Sequence, residues 1–88
     1  MLNTVYEKLR DTYSCTLGYN SITQVLSIDI GVGYILNITL KKRNGLYLFT
    51  IVSNRSNRPV NIICPVNDNG YIDLSLLYRF IDDFASLL

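Results

Sequence analysis

Few residues in this chain could do chemistry, and they are scattered: a basic run Lys41-Lys42-Arg43, an acidic pair Asp82-Asp83, and two thiols, Cys15 and Cys64. Each points to a different kind of function. Three adjacent cations beside Tyr47 and Phe49 could hold a nucleic-acid backbone while a ring stacks on a base. Paired carboxylates could share general acid–base work, and a thiol could act as a nucleophile if something activated it.

None of the catalytic options has the supporting residues it needs. Histidine is absent, which removes the usual general base and the usual metal ligand together. Two cysteines alone fall short of a metal set, so neither a metal nor a cofactor is expected. Asp82 and Asp83 are successive residues of a helical pattern and point about 100° apart, away from any common substrate atom. Cys15 has Lys8 and Arg10 nearby in sequence, but a reactive thiolate needs a more strongly electropositive setting. The expectation is a protein that is not an enzyme and has no small-molecule substrate.

Composition narrows the remaining classes. The chain has 88 residues, of which 49% are hydrophobic and only 17% charged, with a net charge of +1. That is one domain with a surplus of apolar side chains, some of which are expected to face a partner. The charge balance gives no general field to attract a polyanion. No apolar run is long enough to span a membrane. Glu7, Lys8 and Arg10 make the start unlike an export signal, so a reducing, cytoplasmic setting is expected, with Cys15 and Cys64 as small buried hydrophobes; a disulfide between them stays open. Nine asparagines and seven tyrosines against one alanine suggest an AT-rich gene, such as one from a phage or mobile element.

The elements that must position these residues follow from periodicity. Leu2, Val5, Tyr6, Leu9 and Tyr13 form a helical stripe, Thr4 and Glu7 fit a capping box, and the helix should stop near Ser14, before a turn at Gly18-Tyr19-Asn20. From Ile22 the period becomes two: Leu26, Ile28 and Ile30 share one side. Gly31-Val32-Gly33 lacks the third glycine and following helix of a phosphate loop and reads as a turn or bulge. Asn44-Gly45 is a type I′ hairpin signal, which pairs Arg43 with Leu46, Lys42 with Tyr47, Lys41 with Leu48 and Leu40 with Phe49. That register puts Leu36, Ile38 and Leu40 on the same side as Tyr47, Phe49 and Ile51.

Asn54 to Pro59 reads as a polar turn, and Val60, Ile62, Cys64 and Val66 as a fourth strand with Pro65 near its end. The turn Asn67-Asp68-Asn69-Gly70 leaves room for a short fifth strand through Tyr71 and Ile72. Leu74, Leu77, Tyr78, Ile81, Phe84 and Leu88 then form the stripe of a final helix, capped by Asp73 or Ser75. The predicted architecture is a single α+β domain over 1–88 in the order α-β-β-β-β-α: an antiparallel meander of four or five strands with both terminal helices packed on it.

Two candidate surfaces emerge. Lys41, Lys42 and Arg43 occupy the hairpin tip, with side chains on alternating faces and Arg55 and Arg58 at the other end. That arrangement suits edge protection better than a nucleic-acid track, though a small nucleic-acid-binding protein is the alternative it leaves open. The second surface is the side of the sheet away from the core. Ile35, Leu48, Val52 and Ile63 point there, among Asn37, Thr39, Lys41 and Asn61. Either one helix covers each face, or both share one face and leave this side open. The second arrangement makes a half-apolar sheet face, or a strand edge, the binding site for a protein partner or a second copy. On this reading the chain is a protein–protein interaction module, with an inhibitor of a host protein as one form and a homodimer as another.

Overall fold

A computed structural model describes residues 1–88 as helix α1 (Leu2–Leu9), strands β1 (Ser14–Asn20), β2 (Thr23–Asp29), β3 (Ile35–Arg43), β4 (Leu46–Ser53) and β5 (Val60–Pro65), and helix α2 (Ser75–Ser86). The strands form one antiparallel sheet in sequential order, β1-β2-β3-β4-β5. The expected α+β class and meander are therefore present, with five strands.

The hairpin turns explain the register. Asn44 and Gly45 both adopt positive φ, 52° and 75°, the type I′ pattern that follows the natural twist of the strands. Every pair derived from that turn is present, from Arg43↔Leu46 to Leu40↔Phe49, and the ladder continues to Leu36↔Ser53. Gly31, Val32 and Gly33 all have positive φ and close the β2–β3 connection, with the Ile30 amide donating to the Tyr34 carbonyl. Asn54 braces this turn from the β4 end: its side-chain amide donates to the Gly33 carbonyl, and its side-chain oxygen accepts from the Ile35 amide. Arg55 adds a bond to the Val32 carbonyl and lies 5.2 Å from the Tyr34 ring centre. Tyr34 in turn meets Phe84 of α2 edge-on at 5.3 Å.

The N-terminal third differs from expectation. Helix α1 ends at Leu9, and Ser14–Asn20 is a full strand paired with β2 from Ser14↔Asp29 to Asn20↔Thr23. The turn falls at Ser21-Ile22, where Ser21 takes a φ of 59°, the type II′ pattern with positive φ at the first central residue alone. The Thr4–Glu7 capping box does not form, because the helix begins earlier, with Met1 at its N-cap. The short strand at Tyr71-Ile72 reduces to one bridge, Val66↔Ile72. Asp73 still serves the start of α2 by accepting from the Ser75 amide and hydroxyl, which holds its carboxyl below the ordinary carboxylate range.

Every buried residue is apolar, and the buried cluster lies on one side of the sheet. It joins Leu2, Val5 and Leu9 of α1 to Leu77 and Ile81 of α2 across the inward residues of β2 to β5, among them Leu26, Ile38, Phe49 and Cys64. Both helices therefore share one face. A hydrogen bond ties the two ends of the chain together there: the Tyr13 hydroxyl donates to Asp82 Oδ1 at 2.7 Å.

Candidate functional site: the open face of the sheet

With both helices on one side, the opposite face of the sheet is bare. The alternation that buries Leu36 and Ile38 turns Ile35, Asn37, Thr39, Lys41 and Arg43 outward on β3. On β4 it turns Leu46, Leu48, Thr50 and Val52 outward, and on β5 Asn61, Ile63 and Pro65. Strand pairing sorts these into two patches. Leu48 lies opposite Lys41 on one side and Ile63 on the other, and the next row is Arg43–Leu46–Pro65. This makes an apolar corner of Leu46, Leu48, Ile63 and Pro65, flanked by Lys41 and Arg43. Ile63 is 51% exposed and Leu46 42%.

Val52 and Ile35 belong to the second patch. Val52, 38% exposed, lies opposite Asn37, which accepts a 2.7 Å hydrogen bond from the Ser27 hydroxyl. With Val52 and Asn37, the residues Thr16, Val25, Ser27 and Thr39 line a shallow depression of about 500 Å³. Its polar groups are hydroxyls and amides without formal charge. A second such bond, from the Thr50 hydroxyl to Asn61 Oδ1 at 2.9 Å, separates the two patches. Ile35 is half-buried beside Asp29 at the margin. The four residues singled out in the sequence thus share a face, but Leu48 and Ile63 touch one region and Val52 and Ile35 another. Leu46, Pro65 and Val25 complete the patches; Pro65 joins them through the β5 register, which no turn in the sequence fixes.

The other candidates separate. Lys41 and Arg43 project from the open face, whereas Lys42 projects from the helix-covered side, its ammonium 5.4 Å from the centre of the Tyr47 ring. Tyr47 is half-buried against the core, so no ring is free there to stack on a base. Arg55 and Arg58 lie at the opposite end of the sheet, and Arg55 is engaged with the Gly31–Tyr34 turn. Cys15 and Cys64 are unpaired. Burial pushes both thiols up from their ordinary value, and at Cys64 the Asp73 carboxylate adds to the effect, against a partly offsetting backbone hydrogen bond. A raised pKa leaves little thiolate at neutral pH. Asp82 is occupied by Tyr13, while Asp83 is exposed. No helix is long and apolar enough to cross a membrane.

No family model matches this chain, and neither a curated protein nor a solved structure is significantly similar to it.

Proposed function

We propose that the chain is a non-enzymatic protein–protein interaction module that binds through the open face of its sheet. One observation carries the reading: both helices cover the same face, so Leu46, Ile63 and Val52 are left exposed on the other, with Leu48 half-buried among them. A sheet face meant only for water alternates to charged and strongly polar residues. This one offers an apolar corner rimmed by Lys41 and Arg43 beside an uncharged hydroxyl- and amide-lined depression. Such a surface suits a partner with an apolar patch and acidic residues at its margin, since the apolar centre supplies affinity and the rim charges supply orientation. The asparagine- and tyrosine-rich composition suits a small phage or mobile-element protein that inhibits a host protein in this way.

The test is a nuclease-treated pull-down from host lysate with wild type, Ile63→Asp and Val52→Asp, followed by hydrogen exchange on the recovered complex. Both substitutions fall on exposed positions and should leave the circular dichroism spectrum unchanged. Specific capture by wild type, loss with either variant, and protection confined to β3–β5 on the open face are the expected results. Capture that survives both substitutions would remove the face as the site. Recovery of nucleic acid alone, without nuclease, would favour the basic tip.

A further inference from the structure

The first strand has properties that the interaction reading does not use. β1 is an edge strand whose sequence, Ser14-Cys15-Thr16-Leu17-Gly18-Tyr19-Asn20, has no charged residue and no proline. Natural edges are usually guarded by lysine, proline, a bulge or shortness. The opposite edge, β5, has such guards: it is bounded by Pro59 and ends in Pro65, whose carbonyl already accepts from the Asp73 amide. β1 has none, although it is paired with β2 along all of its length.

The hairpin fixes which backbone groups are free. A two-residue turn makes its flanking residues, Asn20 and Thr23, a hydrogen-bonded pair, and such pairs alternate along an antiparallel ladder. Ser14, Thr16, Gly18 and Asn20 therefore direct their amides and carbonyls to β2. Cys15, Leu17 and Tyr19 direct theirs outward, and no turn, loop or cap bond uses them. These three residues are symmetric about Leu17.

We infer that β1 is the seam of a homodimer in which two copies pair antiparallel about a two-fold axis at Leu17. This goes beyond the open-face reading and names a second copy as the partner at the edge. In this register Leu17 faces the second copy's Leu17, and Cys15 faces the second copy's Tyr19. All the outward groups are then satisfied, with about six backbone hydrogen bonds; a slip of two residues either way loses part of the set. A second copy is favoured as the occupant because the pattern complements itself, and because an uncharged strand brings no like charges together. Tyr19 is 72% exposed, and pairing sets it against the second copy's Cys15. The two sheets become one of ten strands, and the depressions beside Thr16 and Gly18 meet across the seam.

The test uses the full chain. Sedimentation over a concentration series is expected to show a monomer–dimer equilibrium. Over the same series, the amides of Cys15, Leu17 and Tyr19 should slow in hydrogen exchange by at least about tenfold, while those of Thr16 and Gly18 are already protected. The doubly substituted C15S/L17C chain should oxidise to a disulfide dimer, because facing residues have Cα atoms about 5.5 Å apart. Wild type should not, since Cys15 and its copy are offset by four residues, roughly 14 Å along the strand. A monomer persisting to about 1 mM overturns the proposal, as does a dimer without protection at these three amides. Neither outcome bears on the open face, which the Ile63→Asp and Val52→Asp pull-down tests separately.

Discussion

Tyr13→Phe removes the one hydrogen bond that joins the connector after α1 to α2, and with it a clamp that holds both helices on the same face. The Tyr13 hydroxyl donates to a carboxylate oxygen at 2.7 Å, and bonds to charged acceptors contribute about 1.5–3 kcal/mol when well shielded. Burial, this hydrogen bond and the Asp82 charge together push the Tyr13 hydroxyl from its ordinary value up to about 12. Two pH units correspond to about 2.7 kcal/mol at full weight. The bond is exposed to solvent, however, so screening reduces the expected effect to about 1 kcal/mol. The sign follows from the direction of the shift. A tyrosine whose folded pKa is raised stabilises the fold fully below its unfolded value near 10, and that contribution is lost as pH rises through the folded value. Urea unfolding of wild type and Tyr13→Phe should therefore differ by about 1 kcal/mol at neutral pH, equivalent to roughly 4–8 °C in melting temperature. The gap should close in strongly alkaline solution. A gap that stays constant from neutral pH to well above 10 would refute the clamp, since titration of the other tyrosines and of the lysines is common to both proteins.

Two further predictions concern the parts that hold the open face in place. Phe49 is fully buried at the centre of β4, so Phe49→Ala should cost about 3–5 kcal/mol, enough to leave a domain of this size largely unfolded by circular dichroism at 37 °C; a cooperative melt near that of wild type would contradict the packing described. Gly45 has a φ of 75° with open space around it, so Gly45→Ala should cost about 1–2 kcal/mol through backbone strain alone. Its denaturant slope should be unchanged, and an unaltered midpoint would argue against the type I′ turn.

How far the fold could be read from the sequence depended on what fixes each register. Asn44-Gly45 determines a turn geometry and hence a pairing, so the whole β3–β4 ladder and the inward set Leu36, Ile38, Phe49 and Ile51 were legible. No such marker exists at Ser21-Ile22, where a serine takes the positive φ that glycine usually supplies. The period-two pattern of Cys15, Leu17 and Tyr19 was present, but Tyr13 extends the helical stripe of α1, and Gly18 to Asn20 reads as a turn. Chain reversal came two residues later. The irregular Asn54–Pro59 segment does not set a register either, which hid the meeting of Leu46 and Leu48 with Pro65 and Ile63.

The helices pose a different problem. An amphipathic stripe says which side of a helix is apolar, but not which face of a sheet receives it. Here the chain itself decides. β1 places Cys15 and Leu17 on the same side as Leu26 and Ile28, so α1, which leads directly into β1, folds back over that side. Cys64 is buried there at the end of β5, and α2 returns over the same side to meet it through Leu77 and Ile81. Two helices over five strands satisfy the inward residues and leave nothing to cover the reverse. Which face is open therefore depends on parity: one residue of slip in β4 would bury Leu48 and Val52 and expose Phe49 and Ile51. Gly45, which sets that register, thereby also determines which face is open to a partner.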